Sequence, residues 1–236
     1  MAYSRRGSLF VGLVLFFSFF GVLILIFSPI FSSKNGLDYA DELFNKLTKG
    51  SSYFIPGLFT STEKFTGKTF RTTLSLEKVQ EAEQTAKLFS LGGAKVEVQG
   101  GTLSIEGDLG KLLQSILRDS DHMFKNDGQK VTDRYGCDGK EALHCWWMAL
   151  GRMEKSFKKN LQIEESRIVS EVIKRGIEPA YNFYQVEQQK VADRAGIMIF
   201  LLVFYIVYTL WWGYAIFHLF EGFGLSMKKA KVKKEN

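Results

Sequence analysis

Charged side chains are absent from two long runs of the sequence, residues 7–33 and residues 195–220. A helix needs roughly 20 apolar residues to cross the hydrocarbon core of a bilayer, and both runs are longer than that. The first run also lacks a small-residue cleavage site of the A-x-A kind, which favours a retained anchor over a cleaved signal peptide. The sequence therefore predicts a two-pass membrane protein with transmembrane helices at 7–33 and 195–220.

Metal-binding and catalytic spacings are also missing. The chain has three histidines and two cysteines, and it contains neither Cys-x-x-Cys nor Cys-x-x-Cys-His, nor two histidines three to five residues apart. These absences argue against a zinc finger and a covalent c-type haem. The paired glycines at 92–93 and 100–101 lack the spacing of a phosphate-binding loop, and no acidic pair suggests acid–base chemistry. We expect no cofactor, no metal site and no enzymatic activity.

Basic residues are concentrated next to the two apolar runs. The seven tail residues that should hold the membrane orientation are Arg5, Arg6, Lys228, Lys229, Lys231, Lys233 and Lys234. Lys and Arg beside membrane spans are usually retained in the cytoplasm, so tails 1–6 and 221–236 should both be cytoplasmic. The segment between the spans is close to neutral, which removes support for a nucleic-acid partner. Residues 34–194 should then be periplasmic, or otherwise outside the cytoplasm.

The only two cysteines, Cys137 and Cys145, both fall in that outer segment. In an oxidising compartment such a pair favours a structural disulfide, which would stabilise the fold by roughly 2.5 kcal/mol in the chain-entropy model. Free thiols, or a metal or redox site that recruits His144 or His122, are the alternatives. The spacing predicts the disulfide.

The outer segment divides into three regions by periodicity. Residues 34–67 read as an amphipathic helix followed by a Ser/Thr/Gly-rich loop with an aromatic patch, which either contacts a partner or packs on the domain. Residues 68–127 predict a small α/β domain in the order β-α-β-β-α, with a two-glycine hairpin turn at 100–101 and a helix capped by Asp108. This order is similar in outline to small domains that oligomerise or dock in bacterial periplasmic assemblies.

Residues 128–194 predict a long helical region with a kink at Pro179. Asp138 and Glu141 resemble a capping box, after which apolar residues recur at spacings of three and four. The residues on this coiled-coil-like seam are Leu143, Trp146, Leu150, Met153, Phe157 and Leu161. We expect the seam to take part in helix association. Beyond Pro179, residues 180–194 should run as one helix into the second span and could couple the two mechanically.

The second span contains polar groups that need partners. Tyr205 and Tyr208 lie near the middle of the run, where a hydroxyl has no water, so they indicate a protein neighbour. His218 and Glu221, three residues apart, form a possible intramembrane polar site that could bind haem or relay protons. The simpler interpretation is that both lie at headgroup depth, where polar side chains are common.

The predicted fold is thus an α+β membrane protein, in which N- and C-terminal transmembrane helices flank a periplasmic βαββα-type domain and a long, partly coiled-coil-like helix. The function that we expect is that of a structural or assembly subunit in the cell inner membrane. Its partners would be the lipid bilayer and either further copies of the chain or other membrane proteins. A ligand sensor that couples the periplasmic domain to the spans, or a haem or redox accessory subunit, are the alternatives.

Overall fold

The structure is a computed structural model that describes residues 5–30, 33–76 and 79–225. The helices are α1 (Arg5–Phe27), α2 (Gly36–Ser51), α3 (Ile55–Glu63), α4 (Val79–Leu91), α5 (Leu109–Phe124), α6 (Gln129–Tyr135), α7 (Gly139–Lys159), α8 (Ile163–Val172), α9 (Glu178–Asn182) and α10 (Ala195–Gly222), and the strands are β1 (Thr69–Ser75), β2 (Lys95–Gln99) and β3 (Thr102–Asp108). The chain is mostly helical with one small sheet. It divides into two compact units, of which the first contains α1 and α10 and the second comprises Asn45–Gln188.

In the first unit, α1 and α10 pack against each other as an antiparallel pair, here called the α1/α10 hairpin. Hydrogen bonds join Ser8 to Glu221, Leu15 to Trp211 and Phe19 to Tyr208, so residue numbers rise along one helix as they fall along the other. Both helices are long and apolar enough to span a membrane, and almost none of their apolar surface is buried inside the protein. The two predicted apolar helices are therefore present.

The sheet of the second unit has the order β1-β3-β2, and both pairings are antiparallel. Alternation in β1 buries Phe70, Thr72 and Leu74 and exposes the residues between them. A two-residue turn at Gly100 and Gly101 joins β2 to β3, and the φ of +60° at Gly100 is one that glycine adopts without strain. The β-α-β-β-α order predicted from periodicity is confirmed.

Helix α5 contacts β3 on one side and α3, α7 and α9 on others. Its N-cap is Asp108, whose carboxylate accepts hydrogen bonds from the backbone N–H groups of Lys111 at 3.0 Å and Gly67 at 2.8 Å. Its apolar face is buried along its whole length. One hydrophobic core extends from Ile55 to Ala180, so it includes residues on both sides of the 68–127 region that the sequence marked out as a small domain.

The single long helix predicted after Asp138 is wrong, because the chain turns back between α7 and α8. Asp138 does cap the helix, accepting from the backbone N–H of Lys140 and Glu141. The helix ends at Lys159, where the backbone N–H of Gln162 donates to the carbonyl of Phe157 at 2.9 Å and Leu161 takes a φ of +59°. This bonding closes the helix end, and α8 can then pack against α7 within one chain.

The expected kink at Pro179 corresponds to a π-helical turn, Ile173–Ile177, immediately before α9. Proline lacks an N–H and its ring crowds the carbonyl four residues earlier, and a wider turn relieves that crowding. The expected continuous helix over 180–194 is wrong, because α9 ends at Asn182 and regular structure resumes only with a short 3₁₀ helix at Val191–Arg194. The mechanical-coupling hypothesis loses the continuous helix on which it depended.

The region predicted as a Ser/Thr/Gly-rich loop contains more helix than expected. Helix α2 continues to Ser51, and α3 begins after Phe54 with Pro56 in its first turn. Proline suits that position because the first N–H groups of a helix have no partner within the helix. Ile55 and Leu58 of α3 are buried in the core of the second unit, whereas Tyr53 and Phe54 remain partly exposed.

Candidate functional site

The predicted disulfide is not present, and Cys137 and Cys145 are both free thiols. The physical reason is the helix that starts between them at Gly139. Seven residues at about 1.5 Å each carry Cys145 roughly 10 Å along the helix from Asp138, whereas a disulfide needs Cα atoms within about 7 Å. Burial, together with the carboxylate of Glu141, raises the pKa of Cys145 to about 11 and also raises that of Cys137.

The predicted association seam lies inside the second unit rather than on its surface. The seam residues that are fully buried in its core are Leu143, Trp146, Leu150, Met153 and Phe157. They pack on the sheet and on neighbouring helices, and the ring of Trp146 meets that of Phe89 edge to face at 5.0 Å. Leu161, the last residue of the seam, is instead 83% exposed. The seam therefore builds the core of the unit, and only Leu161 is free to meet another molecule.

His218 and Glu221 lie near the C-terminal end of α10, and Glu221 meets α1. The carboxylate of Glu221 accepts a hydrogen bond from the buried hydroxyl of Ser8 at 3.5 Å. The backbone at His218 and Leu219 passes so close to Gly12 that a Cβ at Gly12 would lie 2.7 Å from the Leu219 nitrogen. Ser8 and Gly12 form a small-x-x-x-small pattern, which lets two membrane helices approach closely. The two polar residues thus belong to the helix contact itself.

Of the orientation residues, Arg5 and Arg6 begin α1 and are exposed. The five tail lysines, Lys228, Lys229, Lys231, Lys233 and Lys234, lie outside the described residues. Among the residues that are described, no group of three or more His, Cys, Asp or Glu side chains is arranged to hold a metal ion.

A groove between α7 and α9, here called the α7/α9 groove, has a volume of about 370 Å³. His144, Trp147, Ile177, Glu178 and Tyr181 line it. The indole N–H of Trp147 donates to Glu178 Oε1 at 3.0 Å, which holds the Trp147 ring in place, and the His144 ring stacks beside it. Grooves that combine aromatic side chains with a few fixed polar groups are typical of binding sites.

The turn between α7 and α8, residues 160–163, is here called the α7–α8 tip. It presents two large apolar side chains to solvent, Leu161 at 83% and Ile163 at 61% exposure. Leu161 also adopts the left-handed backbone conformation, which is costly for a bulky residue. An exposed apolar side chain in a strained turn adds nothing to the core, so this tip is a second candidate for contact with another molecule.

A buried cation, Lys49, holds together the two ends of the second unit. Its ammonium group donates to Asn126 Oδ1 at 2.9 Å and to the carbonyl oxygens of Phe183 at 3.0 Å and Val186 at 2.7 Å. Asn126 also bonds Val186 and the backbone N–H of Gln185. This set of contacts, here called the Lys49 junction, joins α2 to the segment that follows α9. Burial lowers the pKa of Lys49, while all three acceptors are uncharged.

The groove, the tip and the junction were all missed from the sequence. Trp146 is buried in the core, as its place on the apolar seam suggests, whereas the adjacent Trp147 is 42% exposed. One local signal for the α7–α8 tip is Asn160 at the C-cap of α7, because asparagine is common at the ends of helices. Lys49 carries no local signal, because its acceptors lie more than 70 residues away in the chain.

Comparison of the chain with protein-family models, with curated proteins and with solved structures finds no match.

Proposed function

We propose that this chain is a two-pass inner-membrane protein that serves as a non-enzymatic structural or assembly subunit. The α1/α10 hairpin crosses the bilayer, both tails are cytoplasmic, and residues 34–194 lie in the periplasm. The second unit then provides the surfaces through which copies of the chain, or other membrane proteins, assemble.

The observation that carries the membrane assignment is the division of polar and apolar groups around the α1/α10 hairpin. Its outward side chains are large, apolar and exposed, among them Phe10, Phe17, Ile24, Ile199, Leu202 and Leu210. On the inner side, Trp211 and Tyr208 donate their polar hydrogens to carbonyl oxygens of α1. Such an outer surface is compatible with the hydrocarbon core of a bilayer. In hydrocarbon, polar groups must find their hydrogen-bond partners within the protein, as Trp211 and Tyr208 do.

The charge distribution supports the orientation. Arg5 and Arg6 stand at the start of α1, and the tail beyond α10 carries five lysines. Basic residues within about 15–20 residues of a span end usually stay on the cytoplasmic side, so we infer that both ends of this antiparallel hairpin, which carry the basic residues, lie in the cytoplasm.

The assembly role is supported by how the second unit uses its ionisable groups. Buried Asp119 bonds Tyr135 and Arg134, Lys49 bonds backbone carbonyls, and Glu165 pairs with Lys68 at 2.8 Å. These groups hold elements of the fold to one another. Two of the apolar surfaces that the core leaves exposed are the α7/α9 groove and the α7–α8 tip, and both are suited to contact with a protein partner.

Thiol labelling tests the topology. A chain with Cys137→Ala and Cys145→Ala receives one new cysteine, either Lys111→Cys on the exposed side of α5 or Lys233→Cys in the tail. A membrane-impermeant maleimide should label Lys111→Cys in intact spheroplasts and Lys233→Cys only after lysis. Labelling of Lys233→Cys alone in intact spheroplasts would reverse the orientation and overturn the topology.

The assembly role is tested by light scattering of the full chain in a mild detergent after purification at native abundance. We expect a defined homo-oligomer or a stoichiometric complex with another membrane protein. A lone monomer across the accessible concentration range would exclude it.

A further inference from the structure

The α7–α8 tip contains a side chain that the fold of its own unit does not explain. The bonds that close α7 come from backbone atoms: the N–H of Leu161 donates to Lys158 and that of Gln162 to Phe157. Glycine would make the same bonds and adopt the φ of +59° without strain. Leucine at this position therefore costs conformational energy, and its side chain stays in solvent.

The α7/α9 groove is complementary to that side chain. It is open, it has an aromatic and aliphatic lining from Trp147, Tyr181 and Ile177, and the Trp147–Glu178 hydrogen bond fixes its wall. Trp147 and Tyr181 are both partly exposed although they are large and apolar. Aromatic side chains in such pockets are the usual anchors of protein interfaces.

We propose that the α7–α8 tip of one copy docks into the α7/α9 groove of a second copy, with Leu161 and Ile163 as the inserted residues. This inference rests on the proposed function of the chain as an assembling subunit. It names the partner, a second copy of this chain, and the two surfaces that meet.

A chain cannot fill its own groove in this way. Trp147 lies within α7 and Leu161 lies two residues beyond its end, and the 12 residue steps of helix from Trp147 to Lys159 already span about 18 Å. The contact is also heterologous, because the tip of one copy meets a different surface on the next. Such contacts repeat head to tail and produce a ring if they close or a filament if they do not.

Charge complementarity favours a second copy as the occupant. Lys159, which is exposed and has no ion pair with any described residue, stands next to the tip, and Glu178 stands in the groove. Conversely, Glu164 follows the tip, and Lys140 lies over the Tyr181 ring at 5.0 Å beside the groove. Lys159 and Glu164 at the tip can thus each face an opposite charge at the groove, Glu178 and Lys140 respectively.

A lipid surface is a poorer occupant for the tip. Only two apolar side chains project from it, and the charges around it nearly cancel, with Lys155, Lys158 and Lys159 against Glu154 and Glu164. Stable binding to a bilayer surface requires a larger apolar face or a strong excess of basic residues.

The first test distinguishes the effect of the Leu161 side chain on self-association from the effect of its backbone conformation on stability. In the full chain, Leu161→Gly should weaken self-association at least tenfold, measured by analytical ultracentrifugation in detergent, while its melting temperature stays equal or rises. Leu161→Met keeps an apolar side chain and should keep the association. Unchanged association in Leu161→Gly would overturn the inference and leave the proposed function intact, whereas a wild-type chain that is monomeric throughout would overturn both.

The second test is cross-linking in a Cys137→Ala, Cys145→Ala background. Leu161→Cys and Tyr181→Cys chains are mixed in bilayer nanodiscs or detergent and oxidised with copper phenanthroline. We expect a cross-linked dimer only in the mixture. A dimer formed by Leu161→Cys alone would indicate a two-fold contact and overturn the inference. So would Leu161-dependent binding to phospholipid vesicles in the absence of any cross-link in the mixture.

Discussion

Tyr208 and Phe19 are joined twice across the α1/α10 hairpin. Their rings stack with centroids 4.1 Å apart, and the Tyr208 hydroxyl donates to the Phe19 carbonyl oxygen at 3.3 Å. In the bilayer that we propose for this helix, a tyrosine hydroxyl needs such an acceptor, because water is absent there. The neighbour that the sequence indicated for Tyr208 is therefore the other apolar helix of the same chain.

The ring stack should contribute more to the free energy of unfolding than the hydrogen bond does. Tyr208→Phe removes only a long hydrogen bond, and such bonds within membranes average about 0.6 kcal/mol. Tyr208→Ala also removes the ring, and we expect it to lower the free energy of unfolding by about 2 kcal/mol. Reversible unfolding in mixed micelles measures both. Tyr214→Ala, on the exposed side of α10, is the control, and a loss there as large as that of Tyr208→Ala would contradict the assignment.

Gly12 should be essential to the closeness of the two apolar helices, and Gly21 should not. A side chain at Gly12 would meet the backbone of α10 at 2.7 Å, whereas nothing lies within 4 Å of a Cβ at Gly21. Gly12→Ile should therefore separate α1 from α10, and Gly21→Ile should leave them paired. The efficiency of a cysteine cross-link between positions 15 and 211 reports the pairing. Equal loss of cross-linking in both variants would refute the close-contact interpretation.

The turns, caps and helices that were predicted correctly are those determined by residues a few positions apart in the chain. The Gly100–Gly101 turn and the helix caps at Asp108 and Asp138 are all as expected. In each, the residue that makes the turn or cap bonds backbone groups nearby in the chain, so the sequence carries the full signal. The two apolar helices are readable for a similar reason, since length and lack of charge are local properties.

The features that the sequence did not predict depend on contacts between residues far apart in the chain. The apolar seam of α7 fits a coiled coil as well as a helix that packs in its own core, and periodicity cannot tell them apart. The Asn160 cap ends α7 without a glycine or a proline, so nothing in the sequence breaks the pattern strongly. Likewise, the helix ends after Asn182, where Lys49 donates to the carbonyl of Phe183 and Asn126 accepts from the N–H of Gln185, and no local pattern in the sequence connects these residues.

We expect the hydrogen bonds of the Lys49 ammonium group to raise the free energy of unfolding. Lys49→Met keeps the aliphatic stem but leaves the carbonyl oxygens of Phe183 and Val186 without their charged donor. These acceptors are partly buried, and leaving a buried acceptor without its donor costs about 1–3 kcal/mol, so we expect a loss at the lower end of that range in the free energy of unfolding. Limited proteolysis should also become faster in residues 183–188. Lys111→Met, at an exposed position of α5, is the control and should change neither measurement.

A buried phenol and carboxylate form the centre of the contact between α5 and α6. Tyr135 Oη donates to Asp119 Oδ2 at 2.5 Å, and the Arg134 guanidinium donates to Asp119 Oδ1 at 2.7 Å. Burial raises the pKa of Asp119, and the bonds from Tyr135 and Arg134 partly offset this. Burial and the nearby Asp119 charge raise the pKa of Tyr135 well above its ordinary 10.0.

The raised pKa of Tyr135 predicts a loss of stability at high pH with a definite sign. Below pH 10 the phenol is protonated in both states, so its contribution to folding is complete. Above pH 10 the unfolded state loses the proton while the folded state keeps it, so the free energy of unfolding falls, by at most about 1.4 kcal/mol per pH unit. The measurement is the difference in unfolding free energy between wild type and Tyr135→Phe from pH 7 to 11. That difference should be constant to about pH 9.5 and then shrink, because phenylalanine does not titrate. A difference that stays level up to pH 11 would mean that Tyr135 titrates alike in both states and that its bond to Asp119 does not hold the proton.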